Sequence, residues 1–287
     1  MHELDLVPAA ACGQLHARER GNGRDVRFAP GHVAQDDAAP SRRLGCHRHK
    51  DRRRAQNSSH ADAAAGVLPG MRLYDYPGSC NCYKVRLLLA QLGMAYERVP
   101  VDIFAGETLA PEFGRINPAR TTPVLETDAG RMLPESAAIL TYLATGTPLL
   151  PAAAIDRAEV VRWLVYEQTD VIPAVAGLRF RLLTGRLAPA DPDAVRRVAL
   201  AADVLRLLDD HLEGREFVAS PGYSIADIAL HGYLHRSHEA GIDLAPYGSV
   251  RAWLGRVEAQ PGYMEDVAPY GANAARGAGR SIYDSDD

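Results

Sequence analysis

The sequence predicts an α/β unit of order β-α-β-α-β-β-α followed by an all-helical unit. Three observations predict it. Strand and helix patterns alternate between residues 71 and 144, apolar spacing of three and four runs from 155 to 259 with no strand signal, and a Pro-containing link with Pro148 and Pro151 separates the two.

The elements follow in order. Residues 71–76 read as a strand, 82–92 as a helix stopped by Gly93, and 96–102 as a second strand, which makes a βαβ unit. A short helix over 107–116 comes next, then a strand over 123–127, a turn at Asp128-Ala129-Gly130, a short strand over 131–133 and a helix over 135–144. The link spans 147–154. Helical spacing then covers 155–183, 192–212, 225–240 and 250–259. The resulting organisation is 71–146 for the first domain, 155–270 for the helical domain and 271–287 for a flexible Gly/Ala-rich, then acidic, tail.

Composition bounds the rest. The chain has 287 residues, 47% of them apolar, which suffices for a sizeable core. Its net charge of -4 hides a split: residues 1–70 carry 11 Lys/Arg against 8 Asp/Glu, and the remainder 21 against 28. The first 70 residues hold one aromatic, Phe28, and no sustained period. Such a stretch cannot bury enough apolar area to offset its ordering entropy, so it is expected to be disordered. Met71 opens the patterned part, and 1–70 reads as an upstream extension from a misplaced start codon. The run from Cys46 to Arg54 mixes Cys, His and Arg, yet it has one Cys, no second ligand cluster and no interleaved aromatics, which argues against a metal or nucleic-acid site. No apolar run is long enough to span a bilayer and no secretory pattern opens the chain, so a soluble cytoplasmic protein without membrane or nucleic-acid partners is expected.

Two of the four cysteines flank an asparagine in Ser79-Cys80-Asn81-Cys82, where the first strand ends and the first helix begins. Neighbours this close scarcely reach disulfide geometry, so reduced thiols are expected. A helix N-terminus presents free N–H groups and the positive end of the dipole, an environment that lowers a thiol's pKa. A dithiol redox protein would place its attacking Cys here and a second Cys three residues on; those places hold Ser79 and Cys82. A hydroxyl cannot exchange disulfides but can donate a hydrogen bond to a thiolate supplied by a ligand. As a plain structural element, Ser79 is an N-cap. Thr122-Pro123 precedes the third strand, where a cis bond would turn a backbone amide and carbonyl outward. Glu135-Ser136 opens the next helix, whose N–H groups can bind a carboxylate while Glu135 takes an ammonium group. Together these positions suit a small zwitterionic peptide bearing a thiol.

Those segments, with Tyr83-Lys84-Val85-Arg86, Asn117-Pro118, Val124-Leu125 and 137–143, resemble the glutathione S-transferase family over residues 71 to about 270. The resemblance implies a thioredoxin-like domain binding glutathione as co-substrate, with no metal, and a helical domain building a site for the electrophile. It implies thiol contact by Ser79, backbone contacts by Thr122 before a cis Pro123, and γ-glutamyl binding by Glu135 and Ser136. Bacterial members of serine and asparagine type differ in the donor, and this chain offers both Ser79 and Asn81. Members with a cysteine near this helix form mixed disulfides, which brings in Cys80. The family's frequent basic residue before the one preceding the cis proline is Thr121 here, with Arg120 one earlier.

The expected activity is therefore a detoxifying transfer, in a homodimer, of the glutathione thiol to a small apolar electrophile. Two alternatives stay open: a thiol-transferase or peroxidase using Cys80, and a non-catalytic interaction module on the same fold. Trp163, Tyr166, Glu167 and Gln168 fall where the family forms its electrophile site, with core packing the plainer role for Trp163. Ser224-Ile225-Ala226-Asp227 reads as a capping box with Tyr223 stapled on Ile228. His231, His235 and His238 have metal-like spacing on one helix, but without an adjacent Glu they default to core-edge histidines.

Overall fold

The computed structural model describes residues 70–284. The expectations for the N-terminal 69 residues, including the 46–54 run and the misplaced start, lie outside the described residues.

Strand β1 (Arg72–Asp75) pairs in parallel with β2 (Glu97–Pro100), Leu73 opposite Arg98, and antiparallel with β3 (Val124–Glu126), Leu73 opposite Leu125. Strand β4 (Met132–Pro134) adds to β3, giving the order β2-β1-β3-β4. The parallel pair is bridged by α1 (Cys80–Gln91), as a crossover requires. The helix starts at Cys80, two residues before the expected start, because Ser79 accepts the Cys82 N–H and closes the first turn. The expected helix over 107–116 is instead a 3-10 turn and α2 (Pro111–Ile116), since Pro111 is suited to a first helical turn and not to an interior. Helix α3 (Ser136–Ala144) closes the unit.

The helical part comprises α4 (Ala154–Tyr166), a π-helical segment Glu167–Ala176, α5 (Gly177–Leu183), α6 (Pro192–Leu212), α7 (Ile225–Leu234) and α8 (Gly248–Glu258). A single helix over 155–183 was expected. Pro173 lacks an N–H for the α-helical ladder, and a widened π turn accommodates it. Likewise α7 stops at Leu234 and the chain resumes as a 3-10 turn, Ser237–Ala240, with the Ser237 hydroxyl bonded to the Leu234 carbonyl.

One apolar core runs through both parts. Leu73, Leu87, Leu88, Leu125 and Leu140 are continuous with Trp163, Leu208, Leu230 and Trp253. Each fully buried leucine contributes about 1.5 to 3 kcal/mol relative to exposure. The capping box forms: Asp227 accepts from the Ser224 N–H at 2.9 Å, and also from the Val218 N–H and the Trp253 indole at 3.0 and 2.9 Å. Tyr223 packs on Phe217 and pairs its hydroxyl with Gln91.

The flexible tail expected from residue 271 is corrected up to Asp284. Arg280 bonds its N–H to the Phe104 carbonyl at 2.8 Å and bridges Ala105 in parallel. Asn273 donates to Asp102 at 2.8 Å, Tyr283 packs on Phe180, and Asp284 pairs with Arg186. Gly279 permits this approach, because a Cβ there would stand 2.3 Å from the Asn273 carbonyl and 2.5 Å from that of Phe104. A glycine that suggests looseness in the sequence is here a point of close backbone contact.

Candidate functional site

The N-terminus of α1 is the organising feature. Ser79 Oγ accepts from the Cys82 N–H at 3.3 Å, so the hydroxyl proton remains available to donate. No acidic residue sits in the first turn of α1, and the dipole there favours negative charge. Behind Ser79, the guanidinium of Arg179 on α5 is buried, paired with Glu239, and donates to the Tyr270 hydroxyl at 3.1 Å and to the Gly78 carbonyl at 3.4 Å. The loop that delivers Ser79 is thereby fastened to the helical part and to residue 270.

Cys82 turns inward, fully buried among Tyr76, Phe104 and Ala274. Burial pushes its thiol up to about 12, and the Ser79 and Thr122 side chains both lie within hydrogen-bonding reach of it. Ser79 and Thr122 are brought together in this way. The Thr122-Pro123 bond is cis. Asn81 and Ser136 also meet, with the Ser136 hydroxyl 3.4 Å from Asn81 Oδ1. Glu135 stands exposed at φ 73°, a left-handed conformation for a residue with a Cβ, at the entry to α3. Strain of this kind, about 1 to 3 kcal/mol, persists where the surroundings over-determine it and clusters at ligand-binding positions.

Cys80 is the sequence-derived candidate that the structure places elsewhere. It is 1% exposed in the main core, and burial raises its thiol pKa despite nearby Arg179 and Lys84. As the first helical residue, one position on from the cap, it packs in the core while Ser79 is half-buried. Arg120 likewise folds back: at φ 57° its guanidinium bonds the carbonyls of Thr108 and Ala110. Trp163 is core, set edge-on to Tyr166. His231 and His235 stack at 4.5 Å inside the fold, and among the described residues no group of three or more acidic, His or Cys side chains could hold a metal ion. No helix among the described residues is long and apolar enough to cross a membrane.

Sequence reasoning missed the partners of Lys84 and Glu167. Both are essentially inaccessible, and they form an ion pair between α1 and the start of the π-helical segment. Lys84 also donates to Asn81 Oδ1 at 2.8 Å, and Gln168 donates to Glu167 at 2.7 Å. A signal was present: Lys84 lies three residues after Asn81, on the same helix face, and Gly232 stands in a helix interior without a turn to explain it.

A thioredoxin-like unit with a serine at the N-cap of its first helix, joined to a helical bundle, defines the class of fold to which the chain belongs. The comparisons with known proteins agree. The glutathione S-transferase N-terminal domain family matches residues 73–149. Glutathione S-transferase 3 of Zea mays is 33% identical over 211 residues, covering 69% of this chain and 93% of the maize protein. Among solved structures, a possible glutathione S-transferase from Rhodopseudomonas palustris is 39% identical, with 69% of this chain and 98% of that one covered at a TM-score of 0.61. A glutathione transferase from Burkholderia graminis, solved with two glutathione molecules bound per subunit, is 30% identical, with 69% and 88% covered at a TM-score of 0.62. The chain belongs to the glutathione S-transferase family, and it is an enzyme of that family.

Proposed function

We infer that the protein binds glutathione at the corner formed by Ser79, Asn81, Thr122, Pro123, Glu135 and Ser136, and transfers its thiolate to a small apolar electrophile. The observation that carries this reading is the Ser79 hydroxyl, fixed by the Cys82 N–H and left with its proton to donate at the positive end of α1. A thiolate there would receive that proton as a charge-assisted hydrogen bond. The Thr122 backbone would run alongside the bound peptide, Glu135 would take its ammonium group, and the backbone N–H of Ser136 with the other free α3 N–H groups would take the γ-glutamyl carboxylate. Glutathione bound to the Burkholderia graminis relative supports the choice of ligand.

In this reading the enzyme is a cytoplasmic homodimer acting in detoxification, and glutathione is its only cofactor. Burial of Cys80 speaks against the thiol-transferase alternative, because a mixed disulfide requires access to the sulfur. The test is calorimetry with glutathione at up to millimolar concentration, followed by conjugation assays on an electrophile panel. Binding with conjugation supports the reading; no binding at millimolar glutathione replaces it with the interaction-module alternative.

A further inference from the structure

The Lys84 ammonium is the centre of a closed polar network linking the helical part to the corner just described. It donates one hydrogen bond to Glu167 Oε1 and one to Asn81 Oδ1 at 2.8 Å, and it lies 4.6 Å from the centre of the Tyr233 ring. Glu167 Oε2 takes a further bond from Gln168, and Asn81 Oδ1 a second from the Ser136 hydroxyl. The lysine and glutamate are as buried as any core leucine, and a passage for the lysine stem exists only because residue 232 is glycine.

This network fixes which way the Asn81 amide points. Lysine has no acceptor, so the amide face toward Nζ must be the carbonyl oxygen. The NH₂ group is therefore turned away from the lysine, and among the described residues the hydrogen bonds of the Asn81 side chain are those to its Oδ1. An asparagine side chain free to rotate would spend part of its time with the wrong end outward. Here a charged donor and a hydroxyl hold Oδ1 together, and the lysine is in turn held by a carboxylate that has no other charged partner among the described residues.

We propose that Lys84 and Glu167 are positioning residues that lock the Asn81 amide with its NH₂ group toward the glutathione thiolate, making Asn81 a second preorganised donor beside Ser79. The proposal rests on the glutathione reading above. It gives the helical part a direct hold on the thiol-binding corner: Glu167, at the first residue of the π-helical segment, acts on the ligand through two side chains and touches none of it. Lys84 and Glu167 are removed from the ligand, so their loss alters the orientation of a donor and leaves the γ-glutamyl contacts at Glu135 and Ser136 in place.

The test uses the full chain with a paired substitution, Lys84→Met with Glu167→Leu, since apolar replacement of a whole buried ion pair is commonly tolerated where loss of one partner is not. Selective ¹⁵N labelling of asparagine reports the Asn81 NH₂ resonances, assigned by their disappearance in Asn81→Ala, and needs no ligand. The expected result is a well-dispersed Asn81 NH₂ pair in the parent that collapses toward free-amide positions in the paired variant, and equally in Gly232→Ala, which displaces the lysine stem without changing a charge. Spectrophotometric titration of bound glutathione should show the thiol pKa raised by about one unit in the paired variant, a tenfold weaker preference for thiolate, with binding of glutathione at low pH changed less than threefold. Adding Asn81→Ala to the paired variant should shift the pKa no further. Unchanged Asn81 resonances, or a full additional shift from Asn81→Ala, would overturn the proposal. A parent that binds no glutathione removes the functional reading instead, and the resonance comparison still decides whether the pair orients Asn81.

Discussion

A Cβ built on Gly232 would stand 2.5 Å from Cγ of Lys84 and 2.8 Å from its Cε. Real Cβ atoms do not approach this closely, so α7 and the lysine of α1 share a slot that a single methyl group would fill. The first prediction follows from that contact. Gly232→Ala gains helix propensity worth about 1 kcal/mol but forces the stem of a buried, charge-paired side chain to move. The net change in urea unfolding is expected to be destabilising, on the order of 1 to 3 kcal/mol. A more stable variant would show that the lysine has room to retreat.

Ser79→Ala should leave glutathione bound but raise its thiol pKa by about one to two units, because a hydrogen bond to a charged group is worth about 1.5 to 3 kcal/mol and 1.36 kcal/mol corresponds to one unit. The pH profile of conjugation should move to higher pH by the same amount. An unmoved profile would assign the donor role to Asn81 alone.

At Glu135, alanine and glycine substitutions separate ligand contact from backbone strain. Both remove the carboxylate and should weaken glutathione binding by about 1 to 3 kcal/mol. Only glycine relieves the φ of 73°, so Glu135→Gly should be about 1 kcal/mol more stable than Glu135→Ala. Equal melting temperatures for the two would mean that the left-handed conformation costs nothing here.

Cys80 should be unreactive toward a bulky maleimide in the native protein and react promptly after unfolding in urea. Cys80→Ser should keep conjugation at the parental rate. Rapid native labelling, or loss of turnover in Cys80→Ser, would return the thiol-transferase reading to first place.

His235 supplies a pH prediction. Burial, with the stacked His231 and the nearby Arg236 and Arg179, lowers its pKa from 6.5 to about 3. Between those values the unfolded chain binds a proton that the folded chain refuses, so this residue's contribution to stability falls as pH drops below about 6.5, by about 1.4 kcal/mol per pH unit. Asp227, whose carboxyl burial pushes up to about 6, acts with the opposite sign between about pH 4 and 6. A comparison of His235→Asn with the parent isolates the histidine: the variant should lose less stability between pH 6.5 and 4.5. Parallel curves for the two would show that the imidazole is protonated inside the fold.

The order of elements, the break between the two parts and the capping of α1 and α7 were legible in the sequence because each is a local matter. Apolar period reports the face a segment buries, and Ser79 and Ser224 cap helices through bonds spanning two or three residues. The positions Ser79, Thr122, Glu135 and Ser136 were legible for a similar reason: each lies at an element end, where backbone groups are left free. The tertiary structure alone decided the partners. Lys84 and Glu167 are 83 residues apart, and Arg179 and Gly78 are 101 apart. Likewise, only the packed fold shows that Cys80 faces the core, that a proline widens a helix into a π turn beside Glu167, and that a glycine-rich end docks on Phe104. A buried charge must find its counter-charge wherever the packed core brings one within reach, and no periodicity in the chain records that distance.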